Sequence, residues 1–385
     1  MNAAAPIYLD YAATTPLDPR VRAAMLACLE APPGNPSSTH APGRAARARV
    51  EAARAEVAAM IGAPPAAIVF TSGATEADNL AILGAARGNA VRGRHLVSVR
   101  TEHRAVLDAC GRLEREGFTV TLLTPDRQGL VDPAALRAAL TPATTLVSVM
   151  LVNNETGVVQ DIAALAAECR RSGALLHVDA AQAAGRMPID VAALDVDLMS
   201  LSAHKIHGPV GVGALYVRRE PRPTLVPLQF GGGQEGGLRS GTLAVHQIAG
   251  MGAAFRLAAT EGPPESARLA GLRDRLWQAL RALPGSHLNG HAERRAPHIL
   301  NVSFEGVDGE ALLYALGDVA VASGAACSAE SGEPSYVLRA LGRDDALAQA
   351  SLRFSLGRPT TVEEVDTAAA RVRAAVARLR ALAPA

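Results

Sequence analysis

Through the first 260 residues, short unbroken apolar runs alternate with longer stretches whose apolar positions return at helical spacing. The runs at 67–71, 95–99, 144–151, 174–178 and 196–201 are too short for helices and predict buried strands, with a further strand at 214–217. Segments 76–86 and 104–116 predict amphipathic helices between them. This alternation predicts an α/β protein with a mainly parallel sheet covered on both faces. In such sheets ligands bind outside the carboxyl ends of the strands. The sequence Gly262-Pro263-Pro264 predicts a break in the chain. Beyond it, a helix carrying the only tryptophan (Trp277), an apolar run at 301–304 and a last helix at 362–382 predict a smaller α+β domain. The expected organisation is a large domain over 16–260 and a small one formed by 1–15 with 261–385, which suits a chain of 385 residues.

Charge narrows the field. With 38 basic against 37 acidic side chains the net charge is +1, which gives no electrostatic footprint for nucleic acid or an anionic membrane. The arginine-rich stretch 44–54 predicts a solvated helix face. The N-terminus lacks a basic segment followed by an apolar one, and no apolar run reaches the roughly 18 residues that a membrane span needs. A soluble cytoplasmic protein is expected. The four cysteines form neither a CxxC pair nor a zinc pattern. Cys28, Cys110 and Cys169 sit in helical surroundings and predict small buried apolar groups. Cys327 lies in a run of small and turn-forming residues, 322–334, and reads either as an exposed reactive thiol or as a surface cysteine of no special reactivity.

One count changes the picture more than the rest. Of the 38 basic residues all but one are arginine, and the exception is Lys205. Arginine supplies charge as well as lysine does, but its guanidinium stays protonated and cannot act as a nucleophilic amine. The lone lysine is therefore either a chance survivor or an amine kept for imine chemistry.

Polar motifs follow the predicted strands. TSGATEADN at 71–79 offers small residues and Thr75 at a helix start, a cradle for phosphate or an ordinary capping turn. HVDAAQ at 177–182 delivers Asp179 and Gln182, where a carboxylate keeps a pyridinium nitrogen protonated or caps a helix. SLSAHKIHG at 200–208 sets Ser202 and His204 beside Lys205; both suit phosphate, although His204 also reads as a core histidine. His103 suits ring stacking or acid/base work, or a structural place. Asn154, in NNETG at 153–157, suits a substrate carboxylate or a turn.

In combination these motifs resemble the cysteine desulfurases of the class V aminotransferase group. The likeness runs from YLDYAATTP at 8–16, through RSGT at 239–242 and the SGAAC loop, to LRFSLG at 352–357. It implies a fold-type I enzyme with a seven-stranded large-domain sheet, acting as a homodimer with pyridoxal 5'-phosphate. Lys205 would be the imine lysine and would move the substrate Cα proton. His103 would stack on the ring and manage the thiol proton, Asp179 would face the ring nitrogen, and Gln182 the ring oxygen. Ala74, Thr75, Ser202 and His204 would hold the phosphate, with Thr242 supplied by the other subunit. Asn154, beside the cofactor, and Arg353 would hold the carboxylate of L-cysteine, a task that suits a guanidinium fork. Cys327 would take the sulfur as a persulfide and pass it to an acceptor or scaffold protein, for iron–sulfur cluster assembly or thiolation, with L-alanine released.

Three departures stand out. Ala203 replaces a frequent glycine and is expected to crowd the phosphate turn. Ala325 replaces a frequent serine, and the chain ends at Ala385 without the longer tail that some members use with a scaffold. The long loop around Cys327 resembles the group I branch. The alternatives are another class V enzyme, an aminotransferase or selenocysteine lyase, and a nucleotide-binding regulatory protein using GGGQEGG at 231–237. No GxGxxG follows the first strand and no GxxxxGK[ST] occurs.

Overall fold

A computed structural model describes residues 6–323 and 333–382. Among these, β2 (Ile68–Thr71), β3 (His95–Val99), β4 (Thr119–Leu123), β5 (Thr144–Met150), β6 (Leu175–Asp179), β7 (Leu198–Ser202) and β8 (Gly213–Val217) form a seven-stranded sheet in the order β2-β8-β7-β6-β5-β3-β4. Only β8 runs against its neighbours; the other pairings are parallel. Successive side chains alternate between two cores, as a period of two requires. Val69, Leu96, Leu146 and Leu198 pack with helices α3 (Ala74–Gly88) and α4 (Arg104–Arg115). Phe70, Val97, Val147 and Met199 pack on the opposite face. Burial on both faces explains why the strands read as unbroken apolar runs.

The remaining strands make a different layer. β1 (Ile7–Tyr8) pairs in parallel with β11 (Val319–Ala320). The antiparallel sheet β12-β13-β10-β9 joins Ala322–Ser323, Ser351–Ser355, Ile299–Phe304 and Ser286–Leu288. Here the pattern is one-sided. Leu300, Val302, Phe304, Leu352 and Phe354 enter a third core with the C-terminal helix Val362–Leu382. The alternate positions Asn301, Ser303, Arg353 and Ser355 are polar, though buried, and Arg353 is thereby turned toward the large sheet.

The predicted break at Gly262-Pro263-Pro264 does not occur. One 36-residue helix, Val245–Leu280, runs through it. Ile248, Met251 and Phe255 of this helix belong to the large-sheet core, and Leu269, Leu272 and Leu276 to the third core. Each internal proline removes a hydrogen bond and costs roughly 3 kcal/mol. Tertiary bonds around that turn offset the loss: Glu261 accepts from Arg20, Glu265 from Arg186 (2.5 Å) and Arg358 (2.6 Å), and Ser266 donates to the Arg186 carbonyl. The arginine stretch also departs from expectation. Arg44 and Arg47 are exposed, but Arg54 is buried, donating to both Glu235 oxygens at 2.8 Å and to the Ile68 carbonyl. The GGGQEGG segment thus supplies Glu235 as a buried partner for Arg54 and for the Phe70 amide. Cys110 and Cys169 are buried, their thiols pushed up to about 12 by desolvation, whereas Cys28 is only partly covered.

Candidate active site

The carboxyl ends of β2, β3, β5, β6 and β7 open on a cavity of about 450 Å³. Ala74, Thr75, His103, Asn154, Asp179, Gln182, Ser202, His204, Lys205 and Arg353 all line it. Thr242 is exposed and lies outside this lining, and Cys327 lies outside the described residues.

At one end sits the start of α3. Gly73, its N-cap, has no side chain to satisfy the first amides, so their partial positive charge faces the cavity. A side chain on the preceding turn's neighbour is excluded as well: a Cβ on Gly213 would come within 2.6 Å of the Gly73 backbone. The buried Ser202 hydroxyl has no partner, and His204 contacts Thr14 Oγ1 at 3.1 Å through Nδ1. Burial and the neighbouring Lys205 hold His204 down to about 4, so it is neutral at pH 7. Ala203 does not crowd this end. Its side chain is buried outside the cavity lining, and what it crowds is Gly208, where an added Cβ would lie 2.9 Å from the Ala203 methyl.

In the middle, Lys205 Nζ donates to the carbonyls of Ala12 (2.5 Å) and Ala13 (2.8 Å). Gln182 Nε2 donates to the same Ala12 carbonyl at 2.8 Å. Asp179 accepts from the Ala181 amide at 2.8 Å; burial raises its pKa despite that bond. His103 caps α4, Nδ1 accepting from the Ala105 amide at 3.2 Å. That bond leaves the proton of the neutral ring on Nε2. Burial lowers the His103 pKa, with Asp179 opposing it.

At the other end, the two asparagines of NNETG divide the alternatives between them. Asn153 Oδ1 makes the turn, accepting from the amides of Glu155 and Thr156. Asn154 Oδ1 is buried without a partner in the cavity wall. Arg353 Nη1 donates to the Asn154 carbonyl at 2.9 Å, and Nη2 to Asp10 at 2.7 Å.

Three acidic groups escaped the sequence reading. Asp10 lies in the YLDYAATTP segment, but its partner is 343 residues away. Asp78 is inside the TSGATEADN motif, where its place in a predicted helix carries no sign of the cavity. It lines the cavity, 3.5 Å from His177 Nε2, and burial followed by repulsion from Asp179 raises its pKa well above normal. Glu102 precedes His103; one oxygen accepts from the Met150 amide, and burial raises its pKa too. Among the described residues no group of His, Cys, Asp and Glu is suited to a metal, and no helix is long and apolar enough to cross a membrane.

A mainly parallel sheet, a lysine at a strand end and an anion cradle at a helix start define a class of transferases. Residues 7–367 match the family model described as aminotransferase class-V, and the chain belongs to that family. It is 56% identical to proteins named cysteine desulfurase IscS from Pectobacterium atrosepticum and Photorhabdus laumondii, over 98% of this chain and 95% of each relative. Among solved structures, a NifS-like protein superposes with a TM-score of 0.90 at 35% identity, over 97% of this chain and all of the other. A structure described as SspA in complex with cysteine gives 0.81 at 37% identity, covering 91% of this chain and 98% of that one.

Proposed function

We propose that the chain is a pyridoxal 5'-phosphate-dependent cysteine desulfurase of the group I type, which converts L-cysteine to L-alanine and delivers sulfur to Cys327 as a persulfide. The observation that carries the reading is the convergence, in one cavity, of the only lysine with His103, Asp179, an uncapped helix start and Arg353. The family is pyridoxal-phosphate dependent, and the residues fit the group. The α3 amides with the orphaned Ser202 hydroxyl, Thr75 and His204 suit its phosphate; Lys205 suits its aldehyde carbon, Asp179 its ring nitrogen and Gln182 its ring oxygen. Thr242 from a second copy would complete the phosphate site, which makes the active form a homodimer. The large domain, 16–260, would hold the cofactor, and the small one, 1–15 with 261–385, would carry Cys327.

When bound, the cofactor supplies an electron sink for the pair left behind when a Cα proton departs. The side chains do the rest. Arg353 and Asn154 bind the substrate carboxylate and so fix the Cα–H and the thiol relative to Lys205 and His103. Lys205, as a free amine, would take the Cα proton, and His103 would move the thiol proton at Nε2. The balance needs no outside redox partner. The Cβ–S bond of cysteine breaks and an S–S bond to Cys327 forms; the carbon is reduced to a methyl group as the sulfur becomes sulfane, so cysteine plus thiol gives alanine plus persulfide. An acceptor or scaffold protein then takes the sulfur, in iron–sulfur cluster assembly or thiolation. Purified protein loaded with pyridoxal 5'-phosphate and given L-cysteine and a reductant is expected to release alanine and sulfide in equal amounts. A protein that stays colourless with the cofactor would refute the reading.

A further inference from the structure

The segment Asp10–Ala13 links Arg353 to Lys205: Asp10 accepts from Arg353, and the carbonyls of Ala12 and Ala13, which line the cavity, accept from Lys205. Its path is set by strand β13: Ser355 N donates to the Leu9 carbonyl at 2.7 Å, Tyr11 N to the Ser355 carbonyl, and Ala12 N to Ser355 Oγ at 2.8 Å. This sets Asp10 opposite Ser355, and Arg353, two residues before Ser355 on β13, shares that face. The Arg353 side chain is 4% exposed, a depth at which an unpaired guanidinium is costly. Asp10, 23% exposed and outside the cavity lining, supplies the countercharge at 2.7 Å.

The geometry of the pair matters as much as its charge. A guanidinium offers five N–H groups in a fixed plane. Asp10 holds Nη2 and the Asn154 carbonyl holds Nη1, so the plane cannot turn about the side-chain axis. Nε remains buried without a partner, and the group lines the cavity. The fork is thus oriented and charge-balanced before any ligand arrives, which spares a bound carboxylate the cost of ordering it.

We propose that Asp10 is a positioning residue for substrate recognition, holding Arg353 in the one orientation that accepts the α-carboxylate of L-cysteine. This rests on the reading of Arg353 as the carboxylate-binding group. The effect is confined to ligands that carry a carboxylate, because Asp10 itself touches no part of the cavity. It falls on binding rather than on the chemical step.

The test uses the cofactor-loaded protein and two ligands that differ only in the carboxylate, L-alanine and ethylamine, titrated by the change in cofactor absorbance, together with L-cysteine kinetics. Asp10→Ala is expected to weaken L-alanine and raise the KM for L-cysteine about tenfold, the order expected for a lost charge-assisted hydrogen bond. Ethylamine affinity stays unchanged and kcat stays within about twofold. Asp10→Asn keeps an acceptor but not the charge and recovers part of the loss. Arg353→Ala separates the two readings. Should it leave L-alanine affinity intact, Arg353 is not the carboxylate group and the premise falls. If Arg353→Ala weakens L-alanine while Asp10→Ala does not, Asp10 has no positioning role. An equal loss of L-alanine and ethylamine in Asp10→Ala would show a merely structural residue.

Discussion

Where the long helix crosses between the two cores, Asp18, Glu261 and Glu265 lie among Arg20, Arg186 and Arg358; beneath the cavity, Asp78, Glu102 and Asp179 lie among one another, with His177 and His103 nearby. Glu265 and Asp18 at the joint are nearly as buried as the cavity acids, yet their pKa values move the other way. The Arg20 hydrogen bond holds Asp18 down to about 2, and Arg186 and Arg358 outweigh the burial of Glu265 and lower it. Desolvation raises all three cavity acids, and no arginine reverses it. Burial alone therefore does not decide the state of a carboxyl; the available cation does. At the joint the charges are matched within the chain, which suits a structural role. In the cavity wall, Asp78 Oδ1, Asn154 Oδ1 and Ser202 Oγ have no partner. Arg186 Nε at the joint is orphaned as well, so it is the orphans opening on the cavity that another molecule would satisfy.

The largest expected effect falls on the cavity's lysine. Lys205→Arg keeps a positive charge against Ala12 and Ala13 but removes the nucleophilic amine. Alanine formation from L-cysteine, measured by amino-acid analysis, is expected to vanish while the thermal melting of the protein changes little. Appreciable turnover by this variant would break the distinction between charge and amine chemistry.

Next comes the joint. Glu265→Gln leaves Arg186 buried without its countercharge, and removing one partner of a buried pair costs about 3–5 kcal/mol. Urea denaturation is expected to show that loss. A near-neutral result would mean that the joint is no more strictly balanced than the cavity.

The pH dependence of stability should separate the two regions by sign. Asp18 has a folded pKa near 2 against an ordinary 3.8, so its contribution is present above the ordinary value and is lost as pH falls toward 2. Asp78 and Glu102 have raised folded pKa values, so theirs is present below the ordinary value and is lost as pH rises through the folded one. Asp18→Asn is expected to flatten the acid limb of a stability–pH curve, read from urea midpoints, and an unchanged limb would contradict the assignment. The smallest effect belongs to Asp78→Asn. An amide resembles a protonated acid, so the stability of the cofactor-free protein at neutral pH should shift by less than about 1 kcal/mol. A larger loss would mean that Asp78 is ionised.

Much of this was legible because the chemistry is local. Strands β3, β5 and β7 announce themselves as short apolar runs. His103, Asn154 and Lys205 follow these strands within a few positions and Asp179 ends β6, so the motifs alone point to four residues that line the cavity. What the sequence hid depends on contacts across distance. Asp10 gains meaning only from Arg353, 343 residues on, and Arg54 only from Glu235, 181 residues on. Gly262-Pro263-Pro264 carries a strong local turn signal, and packing with buried ion pairs overrides it to keep a helix whole. The two asparagines of NNETG look alike in sequence; only the turn geometry gives one the fold and the other the cavity.

The most direct test compares wild type with Cys327→Ser, both loaded with pyridoxal 5'-phosphate, for alanine released from L-cysteine in the presence of a reductant. The account predicts equal amounts of alanine and sulfide from wild type and no alanine above background from the variant. Equal alanine release by the two proteins would contradict transfer of sulfur to Cys327.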